Sequence, residues 1–265
     1  MEFIKDLITY DFLRYSFIST FLVSLLTALV SPIIVYKKME FVGDGLAHAI
    51  FAGVALAVVM HFNIFIGAIL ATLFFSFLIY YLNQASKMAE STVIGMLLPV
   101  FMSIGVVLFS KTQRYTTDVM SYLFGNVLLI SINDLYFLLS ISIVAIIVVF
   151  SRIYEISYWI SDEMMAQFYG INIKTLKLTV LSVISLTVVA SLKISGVILM
   201  GAFLVLPGIF AKKKAISLKN AILRAFGFNI FTSTLGFVIA YYTNTPPGPS
   251  IVLTSFIILI ISWLI

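Results

Sequence analysis

Asp44 and His48 stand four residues apart in the segment Phe41-Val-Gly-Asp-Gly-Leu-Ala-His-Ala-Ile-Phe-Ala-Gly-Val-Ala-Leu-Ala57, whose other members are apolar or small. Residues at i and i+4 share one face of a helix, so the carboxylate and the imidazole can point at the same object. Together they make a natural ligand pair for a divalent transition metal. Ionisable residues at membrane depth are costly, and by default they mark an ion or substrate path. In a blander alternative, Asp44 caps a helix start loosened by Gly43 and Gly45, and His48 is a satisfied core histidine. The surrounding Gly43, Gly45, Ala47, Ala49, Ala52, Gly53, Ala55 and Ala57 favour the first reading. They give a thin-skinned helix that neighbours can approach closely. Two such helices around a twofold axis would gather two Asp and two His, a four-ligand cage.

The elements that must position this pair belong to a membrane protein. Hydrophobic residues make up 62% and charged residues 10% of 265 residues, with a mean hydropathy of +1.16. A water-soluble chain could not hide that much apolar surface. Apolar segments fall at 15–36, 41–60, 62–82, 92–110, 132–153, 174–193, 195–211, 220–242 and 249–265, predicting an all-α bundle of eight or nine transmembrane helices. Some joints are so short that neighbours read as halves of broken helices or re-entrant pieces. The whole of 1–265 reads as a single permease domain. Residues 1–14 carry mixed charge (Glu2, Lys5, Asp6, Asp11, Arg14) without the basic-then-apolar order of a cleavable signal. They are expected to lie at the membrane interface as an amphipathic helix.

Cysteine is absent, which excludes disulfides and thiolate metal sites. The net charge of +5 would suit a nucleic-acid partner in a soluble protein. Here the cations sit mainly in loops beside apolar spans, so topology explains them better, and no nucleic-acid motif is present. Lys37, Lys38, Lys87, Arg152, Lys174, Lys177, Lys212, Lys213, Lys214, Lys219 and Arg224, eleven of the sixteen cations, fall on one side of the predicted bundle. By the positive-inside rule that side is cytoplasmic, which puts the N-terminus outside and the C-terminus inside. No phosphate loop, His-Glu-x-x-His sequence or nucleophile elbow occurs. Energy for active transport must then come from another subunit or an ion gradient.

Two connections exceed simple turns. Residues 111–131 face outside and regain apolar character by Tyr122, consistent with a dip back into the membrane with Gly125 as the bend. Residues 154–176 are cytoplasmic. There Ser161 or Asp162 can cap a short helix through Phe168, and Gly170 can end it. A helix running along the membrane surface offers a soluble partner something to dock on. Pro246-Pro247-Gly248-Pro249 reads as a rigid, helix-incompatible outside turn.

Other polar residues read more plainly. His61 belongs to the outer interface, Glu90 and Asp118 border loops and are expected in solvent, and Lys193 is expected to snorkel. Gly196-Val-Ile-Leu-Met-Gly-Ala-Phe-Leu-Val-Leu-Pro207 reads as a kinked packing helix that can also flex beside the path. Gly53 and Pro207 are the packing or gating candidates.

Several of these stretches resemble the metal-specific permeases of bacterial ABC importers for zinc, manganese and iron, of the type II importer class. Phe41-Val-Gly-Asp-Gly-Leu-Ala-His-Ala, Ser91-Thr-Val-Ile-Gly95, Leu123-Phe-Gly125, Leu204-Val-Leu-Pro207 and Ser250-Ile-Val-Leu253 occur in the family's order across nearly the whole chain. The resemblance implies a homodimeric permease in the bacterial inner membrane. It would take a divalent metal from an extracytoplasmic binding protein, and a separate ATPase would drive it. Asp44 and His48 would hold the ion in transit, and no permanent cofactor is expected. Asp162, Glu163, Ala166 and Gly170 would belong to the coupling helix that touches the ATPase. One departure is Ala52-Gly53, where the family usually has Pro-Gly. The rival expectations are a proton-coupled secondary metal transporter, or an ABC importer of a metal chelate or cobalamin.

Overall fold

The computed structural model describes residues 2–111 and 130–264, and every regular element among them is an α-helix. A short α1 (Glu2–Thr9) precedes α2 (Asp11–Tyr36), α3 (Val42–Val59), α4 (Ile64–Ser86) and α5 (Glu90–Ser110). After the second described stretch begins come α6 (Ile132–Ser151), α7 (Ile153–Ser161), α8 (Glu163–Phe168), α9 (Ile173–Lys212), α10 (Leu218–Thr243) and α11 (Pro247–Leu264). Among the described residues, eight helices are long and apolar enough to span a bilayer, and Leu199–Lys212 is a shorter apolar one. The chain is thus a multi-pass membrane protein, with spans at the positions that the apolar segments predict. Asp118, Leu123-Phe-Gly125 and the expected outer re-entrant piece lie outside the described residues.

A single residue in α9 departs from helical geometry: Gly196, at φ 66° and ψ 173°. That region is essentially open only to glycine, and the chain reverses there. Early in α9, Ser185 bonds Ser76 in the middle of α4. At the far end, Lys212 lies over the ring of Tyr36, the last residue of α2. Lys213 donates to the carbonyl of Ser262 at the end of α11. The two halves of α9 therefore form a helical hairpin whose ends share one end of the bundle, as the separate segments 174–193 and 195–211 predict.

Pro207 lies buried within the returning half. Proline cannot donate a backbone bond, and the next amide, on Gly208, donates 2.7 Å to Ser31 Oγ of α2. A β-carbon on Gly208 would sit 2.6 Å from the Ser31 carbonyl oxygen. The proline thus marks a tight helix crossing. The Pro246–Pro249 patch is not the helix-incompatible turn that its composition suggests: α11 starts at Pro247. A first helical turn has no amide bonds to lose, so proline fits there.

The segment 1–14 is likewise more tightly held than a helix lying freely at an interface. Phe3 packs edge-on against Phe17 of α2 and against Phe237 and Tyr241 of α10, and the Tyr241 hydroxyl donates to Asp6.

Lipid tails are as apolar as leucine, so helices in a bilayer associate through close packing and internal hydrogen bonds. Both operate here. Asn229 of α10 donates to the Ser24 carbonyl and the Thr27 hydroxyl of α2, and Ser233 meets Ser24. At the α3–α4 crossing, a β-carbon on Gly53 would lie 2.3 Å from the Gly67 carbonyl oxygen, and one on Gly67 2.5 Å from that of Gly53. The neighbouring atoms are backbone and cannot step aside. Gly53→Ala is expected to cost about 1–3 kcal/mol, as overpacking does, and to lower the melting temperature in detergent. Gly227→Ala, where a β-carbon meets nothing within 4 Å, is the matched control and should shift stability by no more than about 0.5 kcal/mol.

Candidate metal path and docking helix

Three neighbours hold α3 by its small residues. A β-carbon on Gly43 would be 2.7 Å from Leu204 Cδ1 of α9, and one on Gly45 would be 2.7 Å from Phe75 Cζ of α4 and 3.0 Å from Ile94 Cγ2 of α5. Most of the helix is consequently buried. Asp44, His48 and Phe51 remain partly exposed, at the spacing of one stripe. The two candidate ligands thus share a partly exposed face of α3, close enough to interact electrostatically.

Their depth follows from α9. A β-carbon on Gly201 would lie 3.6 Å from Asp44 Oδ1, so Gly201 faces the carboxylate. Gly201 precedes Lys212 by eleven residues, roughly 16 Å along the helix at 1.5 Å per residue, and Asp44 lies beside it in the first turn of α3. Among the described residues, no three His, Asp or Glu side chains gather where they could hold a metal ion. His61 sits in the turn after α3 with φ 57°, exposed and away from this pair.

At the lysine-rich end lie α7 and α8, the stretch expected from its sequence to dock a soluble partner. Asp162 caps α8, its Oδ1 accepting from the amides of Met164 (2.8 Å) and Met165 (3.1 Å). Gly170, at φ 78°, closes it: its amide donates to the Gln167 carbonyl and that of Ile171 to Ala166. This paired pattern is the left-handed terminus that glycine permits. Ala166 faces inward with no exposure, whereas Met164 and Phe168 are each 82% exposed.

Glu90 departs from the expectation of solvent. Its side chain is only 14% exposed, with Oε1 3.7 Å from Lys177 Nζ. Lys177 Nζ also lies 3.0 Å from Glu163 Oε1. Glu163 Oε2 accepts from the Trp159 indole at 3.4 Å, and Lys37 Nζ donates 3.3 Å to the Trp159 carbonyl. Lys37 also sits 4.5 Å from the centroid of the Trp159 ring. Burial pushes the Lys37 ammonium below its ordinary range, while the Glu90 and Glu163 carboxylates oppose that shift and Lys177 adds to it. No local pattern in the sequence joins Glu90, Glu163, Lys177, Lys37 and Trp159. The available signal was Lys177, a cation on the face of α9 that also carries Ile173, Leu176 and Val180.

The ABC 3 transport family model matches residues 9–265. The chain belongs to the ABC 3 transport family. This ABC 3 chain is 42% identical to a probable metal transport system membrane protein of Thermotoga maritima, over 97% of its own length and 91% of that protein's. It is 31% identical to ScaB of Streptococcus gordonii, described as a manganese import system permease protein, over 100% and 95% of the two chains. Its fold matches a chain in the solved structure of PsaBC from Streptococcus pneumoniae in complex with Fab. That match has a TM-score of 0.86 and 29% identity, covering 99% of this chain and 94% of that one.

Removal of the α8 cap gives a local test. Asp162→Ala deletes both side-chain bonds to the first turn, a loss typically worth about 1 kcal/mol. Amide hydrogen exchange over 164–168 should accelerate while exchange in α2 and α10 stays unchanged.

Proposed function

We propose that this chain is the membrane permease of an ATP-driven importer for a divalent transition metal, with Asp44 and His48 as the ligands met in transit. The observation that carries the reading is their placement: a carboxylate and an imidazole together on a partly exposed face of a thin-skinned helix that is otherwise largely buried. Burying such groups against lipid is costly. A second copy of this chain, facing the first across that face, removes the cost and completes a four-ligand site. Relatives described as manganese permeases make manganese the first candidate. Imidazole keeps zinc and iron chemically open.

ATP hydrolysis falls to a separate subunit. The lysine-rich end faces the cytoplasm, so the N-terminus lies outside and α8 projects toward that subunit with Met164 and Phe168 as its apolar contacts. An extracytoplasmic binding protein delivers the ion to the opposite end. Gly201 leaves room beside the Asp44 carboxylate. Alanine there makes only ordinary contact, whereas a long side chain fills the space.

The test is metal accumulation, read by elemental analysis, in bacteria lacking their own importers and expressing this chain with its ATPase and binding protein. Wild type should accumulate one metal, and Asp44→Ala/His48→Ala should reduce that to background while assembling normally. Accumulation by the double variant would place the path elsewhere. Gly201→Ala should transport and Gly201→Leu should not.

A further inference from the structure

We propose that Lys177, Glu163 and Glu90 form an ionic joint that carries movement of α8 to the Asp44–His48 face. This deepens the reading of the chain as a permease and rests on α8 being the element that the ATPase contacts.

Each member comes from a different helix end. Glu163 is the first residue of α8, Glu90 the first of α5, and Lys177 lies in the opening turns of α9. Lys177 sits between the two carboxylates, 3.0 Å from Glu163 and 3.7 Å from Glu90, with its side chain only 8% exposed. Lys37 balances the remaining charge from the end of α2, held against Trp159, which is 1% exposed. Two cations thus face two anions, with Lys177 and Glu90 largely shielded from water and Glu163 partly exposed.

Charges so enclosed cannot separate freely, because a partner left behind is an uncompensated buried ion. A push or pull on α8 therefore moves the starts of α9 and α5 with it. The route onward is one helical turn long. Ile94 follows Glu90 at i+4, on the same face of α5. It presses on α3 at Gly45, the residue after Asp44, where a β-carbon would come within 3.0 Å. Apolar packing alone could fasten α8 to the bundle. A charge pair also fixes which atoms must move together, and that is the property a coupling element needs. Lys177, Glu163 and Glu90 are positioning residues, since none reaches the metal ligands.

The test uses the full complex of this chain and its ATPase in proteoliposomes, with manganese as the probe and metal delivered per ATP hydrolysed as the readout. Lys177→Met alone strands two carboxylates and can impair assembly. Glu90→Gln/Lys177→Met removes one charge of each sign, so the cluster stays neutral. The double variant should bind the ATPase and hydrolyse ATP, with the transport ratio falling about tenfold. Lys177→Arg, which keeps the charge, should restore the ratio. An unchanged ratio in the double variant overturns the joint. Met164→Cys carrying a thiol-attached photo-crosslinker that fails to label the wild-type ATPase overturns the docking reading beneath it. A crosslink that forms while the ratio stays unchanged removes the joint alone.

Discussion

Close approach at glycine is the constraint from which the rest of this structure follows. Without a hydrophobic drive between helices, contact area must come from backbones brought near one another. α3 meets α4 at Gly53 and Gly67, α5 and α4 at Gly45, and α9 at Gly43. Those contacts enclose the helix on most sides and leave Asp44 and His48 partly exposed. A carboxylate and an imidazole on any other face of α3 would be sealed in packing, unable to meet an ion. Small side chains thus do two things at once: they hold the helix and determine which face of it is free.

The reversal at Gly196 sets depth. A straight 40-residue α9 would be roughly 60 Å long, about twice the thickness of the hydrocarbon core. By turning back, the chain lays Gly201 against Asp44 and Leu204 against Gly43, then returns to the lysine-rich end. One residue in a conformation reserved for glycine thereby supplies a wall of the site. The tight crossing at Gly208 and Ser31 anchors that wall to α2.

Much of this was legible in the sequence, for identifiable reasons. Spans are read from length and apolarity, and the bilayer enforces both. Asp44 and His48 stood out because charge inside an apolar run is rare. The cap and terminus of α8 were legible because Asp162 and Gly170 act on backbone only a few residues away. Glu90 was misread as solvated for the converse reason. Its partners arrive from α8 and α9, more than seventy residues on, and no local pattern marks a pairing made by topology. The Pro246–Pro249 patch misled because proline's effect depends on helix position, and the first turn is the one place where it fits.

The two candidate ligands on α3 and the charge cluster beneath them suit a common physical requirement. An ion in transit must be held firmly enough to enter and loosely enough to leave. A complete ligand cage built on one rigid helix would have a fixed affinity. Two ligands on a partly exposed face leave the affinity to whatever brings the rest of the coordination shell, so small movements of α3 change it strongly. The helix that packs against α3 at Gly45, α5, begins at Glu90, in the same charge cluster as the first residue of α8. On the proposed reading, the position of α8 reaches the Asp44–His48 face through one turn of α5 and one glycine contact.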